Sequence, residues 1–576
     1  MFPNRIDVIS TPIVIDLDVN GTPEVLFTSR AGSFGVIRVV SGLDGTEVFA
    51  VDAEGLEPNA TSPLAAGDID RDGFPEIIAV LPSGNQLMAL EHDGTLKWLS
   101  GTIEDMGHGG AAIADLEGDG LPEIIVGRQV LNNDGSLRWT GTGSRAPSYG
   151  QVSLVADLDR DGSPEIVAGN TAYRATGSIF WQNAAVPVGF NAVGNFDTDL
   201  FPEVAIVGSG EVWLLEHTGE VKWGPVAHPG QSLGGPPTVA DFDGDGMAEI
   251  GAAARHAYAV FDTDGTVLWE AETVDASSGR TGSSVFDFEG DGAAEVVYAD
   301  EVFLRVYRGA DGTLLFEEPI GSGTTLEYPV IADIDNDGSS EILVAGDRTL
   351  DDAARPGIHA FGGSVNRWLP TRPIWNQHTY HITNINSDGT IPEREVNNWE
   401  VFNNYRQNVP VEGCLAAHPD LTASFARKVV DGTDVHITVR IGNGGGAAVG
   451  PQIPVAFYDG DPSAGGVLLT TATVNSLTAR GFQDLEVTVP VGTQALPLWI
   501  VADDQGGLTG IHDESDETNN ALNSRLFLTA TPNAAPVVDA GEDQVATITE
   551  ATVTATLTGT VTDDDLPIGV VNTVWG

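Results

Sequence analysis

An acidic nine-residue phrase recurs eight times between Asp16 and Glu341, and no other feature constrains the fold as strongly. The copies read DLDVNGTPE, DIDRDGFPE, DLEGDGLPE, DLDRDGSPE, NFDTDLFPE, DFDGDGMAE, DFEGDGAAE and DIDNDGSSE. Their first positions lie 52, 47, 42, 38, 46, 46 and 46 residues apart. A period of ~45 residues belongs to a propeller, solenoid or array built from one supersecondary unit. Short apolar runs flank each phrase, such as PVIA and EILVAG around the last copy. Two further runs follow, the second closing on an aromatic: Phe49, Trp98, Trp139, Trp181, Trp223, Trp269, Phe316 and Trp368. Four short strands per repeat make one propeller blade. The chain is therefore expected to be all-β, with an eight-bladed β-propeller over residues 1–369; seven blades plus a partial repeat is the alternative. The aromatic keeps a fixed phase with the strands, so it is expected to pack between blades. A ligand platform is the competing role.

The spacing within the phrase points to calcium. Positions 1, 3, 5 and 9 carry Asp16, Asp18, Asn20 and Glu24 in the first copy, and Asp68, Asp70, Asp72 and Glu76 in the second. The third has Asp115, Glu117, Asp119 and Glu123, and the fourth Asp157, Asp159, Asp161 and Glu165. Then come Asn195, Asp197, Asp199 and Glu203, followed by Asp241, Asp243, Asp245 and Glu249. The last two copies supply Asp287, Glu289, Asp291 and Glu295, and Asp333, Asp335, Asp337 and Glu341. Alternate residues of a tight turn aim their oxygens at one centre, and Ca²⁺ takes six to eight such hard ligands. Two carboxylates ~4 Å apart repel by about 4 kcal/mol at an effective dielectric of 20, so a cluster without a cation is unfavourable. Polar turns alone also use Asp, Asn and Gly, but eight copies in phase argue for metal. Loops opening at Asp68, Asp157, Asp241 and Asp333 are expected to bind most firmly. The fifth, with Asn195 first and Leu200 in place of Gly, is expected to bind least.

These phrases resemble the FG-GAP (integrin-α-like) repeats, also met as VCBS-type repeats of large bacterial surface proteins, over roughly residues 8 to 370. The resemblance implies a β-propeller with calcium held in loops between adjacent strands, at the positions just named.

Residues 370–415 break the period and are rich in Trp, Asn and His. His378 and His381 offer a possible metal pair; a segment that plugs or braces the propeller is the alternative. Over 416–530, seven alternating runs from DLTASF to NSRLFLTA suit an immunoglobulin-like β-sandwich. PDLTASF, VRIGNGGGAAVGPQIPVAFYDGDP and IHDESDETNN resemble the CARDB domain, a bacterial adhesion-related module. Asp513, Glu514, Asp516, Glu517 and Asn519 there form either a further calcium site or an acidic solvated turn. Residues 533–576 resemble the opening of a PKD- or Ig-like repeat, too short to complete a second sandwich.

With 83 acidic against 26 basic residues and a formal charge of −57, the surface should repel nucleic acid and anionic membranes. One cysteine, Cys414, leaves metal rather than sulfur as the staple. Calcium loops of modest affinity load at roughly millimolar calcium, which places the chain outside the cell or on a bacterial surface. MFPNRIDVIS lacks the basic and apolar regions of a signal peptide, and no run of about 18 apolar residues could insert into a membrane. Both ends are expected to continue into a longer polypeptide. The leading function is a non-catalytic, calcium-binding adhesion or scaffold module, whose propeller face binds an extracellular protein or polysaccharide. The alternative is a carbohydrate-active enzyme of the polysaccharide-lyase kind. A cluster of His, Arg, Lys or Tyr at the propeller axis would favour the enzyme.

Overall fold

A computed structural model describes the chain except residues 1–5, 32–33, 145–149, 151, 289–291, 349–354, 363–367, 411–418, 432–433, 446, 479–480, 491–495, 509, 513, 515–518, 529–536, 540–559 and 563–576. Two compact units emerge: Met1–Ser364 with Trp368–Val411, and Val365–Arg367 with Glu412–Gly576.

The first unit holds eight consecutive antiparallel sheets, each in simple chain order. The second sheet is typical: Ala65–Gly67, Glu76–Val80, Leu87–Leu90 and Leu96–Leu99. An acidic phrase joins its first strand to its second, as in every sheet. The eighth shows three strands, Val330–Ala332, Glu341–Gly346 and Gly357–Gly362; the residues leading to the expected fourth lie outside those described. The first strands run from Ile13–Ile15 through Phe190–Gly194 to Val330–Ala332, and those of successive sheets lie side by side. Their short, mostly apolar and buried sequences follow from being covered on both faces. Fourth strands such as Leu96–Leu99 and Leu137–Thr140 form the outer rim and are largely exposed.

The first and eighth sheets meet. Val8 N donates to Gly346 O at 3.1 Å, Thr325 Oγ1 to Ile9 O at 2.8 Å, and Asn336 Nδ2 to Gly21 O at 3.1 Å. Arg30 pairs with Asp347 at 3.2 Å.

The recurring aromatics lie between sheets. Trp98 of the second sheet donates from Nε1 to Asn133 O of the third at 2.8 Å, and its ring covers Gly135. Trp139 reaches Ala175 O at 2.9 Å and covers Gly177; Trp223 reaches Thr263 O at 2.8 Å and covers Gly265. A Cβ at Gly135 would stand 2.6 Å from the Trp98 ring. The turn glycine is thus fixed twice, by its positive φ and by the neighbouring indole. Trp368 departs from this series. It packs on Phe288 of the seventh repeat, with ring centroids 4.7 Å apart, and nothing lies within 4 Å of a Cβ at Gly45 in the first sheet's turn.

Residues 370–410 fill the middle of the ring by pairing with the first strands. Trp375 exchanges backbone hydrogen bonds with Val14 at 2.8 and 2.9 Å, and Tyr405 with Val239 at 2.9 and 3.2 Å. Ala66 N donates to Asn376 O at 2.9 Å, Ile113 N to Gln377 Oε1 at 2.8 Å, and Asn408 Nδ2 to Ile331 O at 3.1 Å. Short polar side chains suit this task because they satisfy inner-edge groups that no strand reaches. Trp375, Tyr380, Tyr405 and Arg406 are 0 % exposed.

Besides one short strand pair, the second unit contains two sheets among the described residues. One holds Leu421–Asp431, Asp434–Asn443 and Phe482–Pro490; the other holds Val467–Val474, Ile453–Asp459, Pro497–Ala502 and Ala521–Phe527. In Asp434–Asn443 the alternate residues Val435, Ile437, Val439 and Ile441 enter a core shared with Val455, Phe457 and Ile500. That alternation is the period of a half-buried strand. Of the acidic turn near residue 514, Glu514 accepts from Leu421 N and, at 3.0 Å, from Asn520 Nδ2. Asn519 Nδ2 donates to Asp420 at 2.9 Å. Both residues therefore brace strand ends, while Asp513, Asp516 and Glu517 lie outside the described residues. So does most of the segment 533–576, where a further repeat is expected, apart from the pair Val537–Asp539 and Thr560–Thr562.

The glycine–indole contact gives a paired test. Gly177 has φ +83 and would place a Cβ 2.7 Å from Trp139, whereas Gly45 has φ +69 and open space. Gly45→Ala should cost about 1–2 kcal/mol from backbone strain alone. Gly177→Ala should cost roughly 2–4 kcal/mol because overpacking adds to strain. Denaturant melts of the two variants measure the difference, and equal losses would show that the indole does not fix the glycine.

Candidate metal centres

Each acidic phrase folds onto its own carboxylates. Asp16 accepts from Asn20 N at 3.0 Å and Gly21 N at 2.7 Å; Asp241 accepts from Gly244 N at 2.7 Å and Gly246 N at 2.9 Å. Position 5 turns back on position 7, as when Asn20 Oδ1 accepts from Thr22 N at 2.8 Å. Gly at position 6 has φ +91 in the first loop and +89 in the sixth, the left-handed region that lets the loop close. In all eight repeats one oxygen of the position-9 Glu accepts the position-2 amide, at 2.8–3.1 Å from Leu17, Ile69, Leu116, Leu158, Phe196, Phe242, Phe288 and Ile334. That clasp leaves the other oxygen, Oε1, facing the cluster. Glu24, Glu76, Glu165, Glu203 and Glu249 are at most 3 % exposed.

These clusters carry more negative charge than their surroundings neutralise. Burial, then the charges of Asp18 and Asp16, push Glu24 up to about 7 against the pull of the Leu17 amide. Burial and Asp243, Asp241 and Asp245 push Glu249 to about 8. Asp333 rises to about 8 through burial and Asp337, and Glu341 to about 10 through burial and Asp333. Asp16, Asp18 and Glu24 each bring one oxygen within 4.8 Å of the others. That spacing fits a cation bound at ~2.3–2.6 Å, and an all-oxygen donor set suits Ca²⁺ rather than a softer metal. Among the described residues, no Lys or Arg pairs with the carboxylates of the first or sixth loop.

Among the described residues, four other loops contain basic side chains that the sequence reading missed. Lys97 Nζ stands 2.6 Å from Asp70, 3.1 Å from Glu76 Oε1 and 3.0 Å from Glu91. Arg138 Nη1 lies 2.7 Å from Glu123 Oε1, and its Nη2 bonds Glu117. Arg174 reaches Asp159 at 2.6 Å, Glu165 Oε1 at 2.8 Å and Asp161 at 3.3 Å. Lys222 Nζ is 2.7 Å from Glu203 Oε1, 3.3 Å from Glu216 and bonded to Asp197. Burial works against the charge on Lys97, yet Asp70, Glu91 and Glu76 hold it protonated above the usual lysine range. A signal existed: Lys97, Arg138 and Lys222 each directly precede the closing Trp, where the first, sixth and seventh repeats have Val48, Leu268 and Leu315. In the fourth repeat Phe180 holds that place, and Arg174 comes across the hairpin over its ring, 4.2 Å from the centroid.

The fifth loop is built differently. Asn195 Nδ2 donates to Asp199 O at 3.0 Å, and Leu200 at position 6 is 66 % exposed. In the seventh, Asp287 accepts from Gly292 N at 2.9 Å, while Glu289 and Asp291 lie outside the described residues. In the eighth, Asp333 accepts from Asp337 N and Gly338 N, both at 3.0 Å.

His378 and His381 do not converge. A ring nitrogen of His378 bonds Leu326 O at 3.1 Å, whereas His381 bonds Thr379 O at 3.0 Å and the Glu395 carboxylate. Together with Tyr328, Tyr380, Tyr405 and Arg406 they form a buried polar set at the middle of the ring, at most 4 % exposed. An open cleft of ≈ 730 Å³ lies to one side, between the third and fourth acidic loops and residues 391–397; Glu117, Asp161, Arg174, Glu393 and Arg394 line it.

The FG-GAP-like repeat family matches residues 68–126 and 287–344, so the chain carries FG-GAP-like repeats. No curated protein sequence matches it. Among solved structures it is similar to the V. cholerae biofilm matrix protein Bap1, at 21 % identity and a TM-score of 0.61, over 71 % of this chain and 97 % of that one. At this identity the likeness establishes a shared fold. The rhamnogalacturonan lyase YesW is more distant: 16 % identity, TM-score 0.43, 61 % of this chain and 73 % of that one.

The raised carboxylates set a pH dependence. Glu24 and Glu249 stand at about 7 and 8 in the fold against an ordinary 4.5, so without metal the folded state binds more protons than the unfolded chain. Their contribution to stability is full below pH 4.5 and is lost as pH rises through 7 to 8. In chelator, the melting temperature of the repeat unit should therefore fall between pH 5 and pH 9. Melts followed by circular dichroism across that range check the sign; a rise with pH would contradict it.

Proposed function

We propose that the chain is a non-catalytic, calcium-stabilised adhesion or scaffold module of the bacterial cell exterior. Its eight sheets form a closed ring of eight blades, followed by an immunoglobulin-like, CARDB-related sandwich. The observation that carries this reading is the state of the first and sixth loops. A buried glutamate, Glu24 or Glu249, stands there beside more exposed acidic side chains whose turn is fixed by backbone hydrogen bonds, and among the described residues no basic side chain balances them. Calcium would be held by Asp16, Asp18, Asn20 and Glu24, and by Asp241, Asp243, Asp245 and Glu249, neutralising charge that otherwise opposes folding. Loops of this kind load at roughly millimolar calcium, which supports an extracellular setting.

Recognition of a protein or polysaccharide then falls to the outer faces, because residues 370–410 fill the middle of the ring. The cleft beside residues 391–397 is one such surface. An enzyme reading draws support from the His, Arg and Tyr residues at the centre. Their burial, and the bonds of Tyr328, His378, His381 and Arg406 to backbone carbonyls, speak against it, since a catalytic group must reach substrate.

Calorimetry of the whole chain with calcium and with chelator tests the reading. At 1 mM calcium and a Kd near 10⁻⁴ M, each loaded site stabilises the fold by roughly 1.4 kcal/mol. The repeat transition should drop by many degrees in chelator while the sandwich transition, with its own apolar core, stays nearly fixed. A repeat transition indifferent to chelator would sink the calcium reading. Glycan and protein arrays probed with the calcium-loaded chain then test the adhesive role, and labelled hydrolysis or elimination products would instead favour an enzyme.

A further inference from the structure

We propose that in the loops opening at Asp68, Asp115, Asp157 and Asn195 a side chain of the protein stands in for the metal. Lys97, Arg138, Arg174 and Lys222 are resident cations, so the ring uses two kinds of positive charge, one recruited from solution and one built in. The inference rests on the calcium reading of the remaining loops and narrows it to a subset.

Three observations carry it. First, the basic group meets the same atom in all four loops: Oε1 of Glu76, Glu123, Glu165 and Glu203, at 3.1, 2.7, 2.8 and 2.7 Å. The opposite oxygen of each Glu is committed to a backbone amide, so Oε1 is the one a metal would need. Second, each basic group also takes the position-3 carboxylate, Asp70, Glu117, Asp159 or Asp197. An ammonium, or a guanidinium using both Nη atoms, that bridges positions 3 and 9 fills the space between them, and it would repel a divalent ion placed beside it. Third, the fourth loop reaches the same outcome from a different chain position. Phe180 occupies the place of Lys97, and Arg174 enters from the other strand of the hairpin. Shared position alone does not account for that; the shared electrostatic demand does. The ranking drawn from loop sequence is revised accordingly. The Asp68 and Asp157 loops match the metal pattern well but carry a resident cation, and the Asp16 loop, with its neutral Asn20, does not.

Equilibrium dialysis of the metal-stripped full chain against calcium, with elemental analysis, tests the assignment. The wild type should bind about four equivalents or fewer. Asp16→Asn should lose one equivalent, whereas Asp68→Asn should lose none. Lys97→Met and Arg138→Met should each gain one, because the emptied cluster now needs a metal; calorimetry in calcium verifies that each variant is folded. Eight equivalents for the wild type, a loss in Asp68→Asn, or no gain in both Lys97→Met and Arg138→Met would overturn the inference. A wild type that binds no calcium, or an Asp16→Asn variant that matches it, would defeat the calcium reading of the open loops. A gain in Lys97→Met would still uphold the resident-cation assignment in that case.

Discussion

The closing glutamate of each acidic phrase is the interaction on which the ring depends. It begins the second strand of its sheet, and its carboxylate clasps the amide of position 2, so the loop cannot open without exposing a buried donor. The clasp has an electrostatic consequence. It draws a carboxylate into a nearly dry position beside two or three others, and burial there favours the neutral acid. A cation relieves that conflict; in four loops a Lys or Arg side chain supplies it, and in the first and sixth the proposed calcium would.

The same repeat unit solves the problem of sheet edges. The fourth strands of the first six sheets each present an aromatic that lies over the next sheet's turn, where only glycine leaves room for the ring. The first strands lie beside one another, and residues 370–410 bond backbone groups of several of them. The central segment therefore acts as an inner brace that pairs with most of the sheets. This arrangement explains why Asn, Gln and Tyr are dense in a stretch that lies at the middle of the first unit. Buried polar groups are tolerable where each has a backbone partner to meet.

Much of this was legible in the chain itself. The period of ~45 residues, with four apolar runs per period, encodes a sheet per repeat because each run is too short to be anything but a strand. The position of Gly within the phrase encodes the loop, since positive φ at that point is what brings positions 1, 3, 5 and 9 together. Alternation from Asp434 to Asn443 encodes a strand with one buried face, and the structure pairs it with strands on both sides. The aromatic at the end of each repeat announced packing between sheets, because its phase never left the strand pattern.

What remained for the tertiary structure to decide was which charges meet. Lys97 lies 21 residues after Glu76 and Arg174 nine after Glu165, and strand register alone brings each over its acidic loop. The composition of a loop says how well it could hold a metal; the residue across the hairpin says whether the place is already taken. Likewise, His378 and His381 are three residues apart in the chain, yet the backbone between them turns their rings to different partners. Local spacing fixed the strands and loops because those are contacts between near neighbours. The cations of the loops and the filling of the ring were set only when distant segments were brought to within bonding distance.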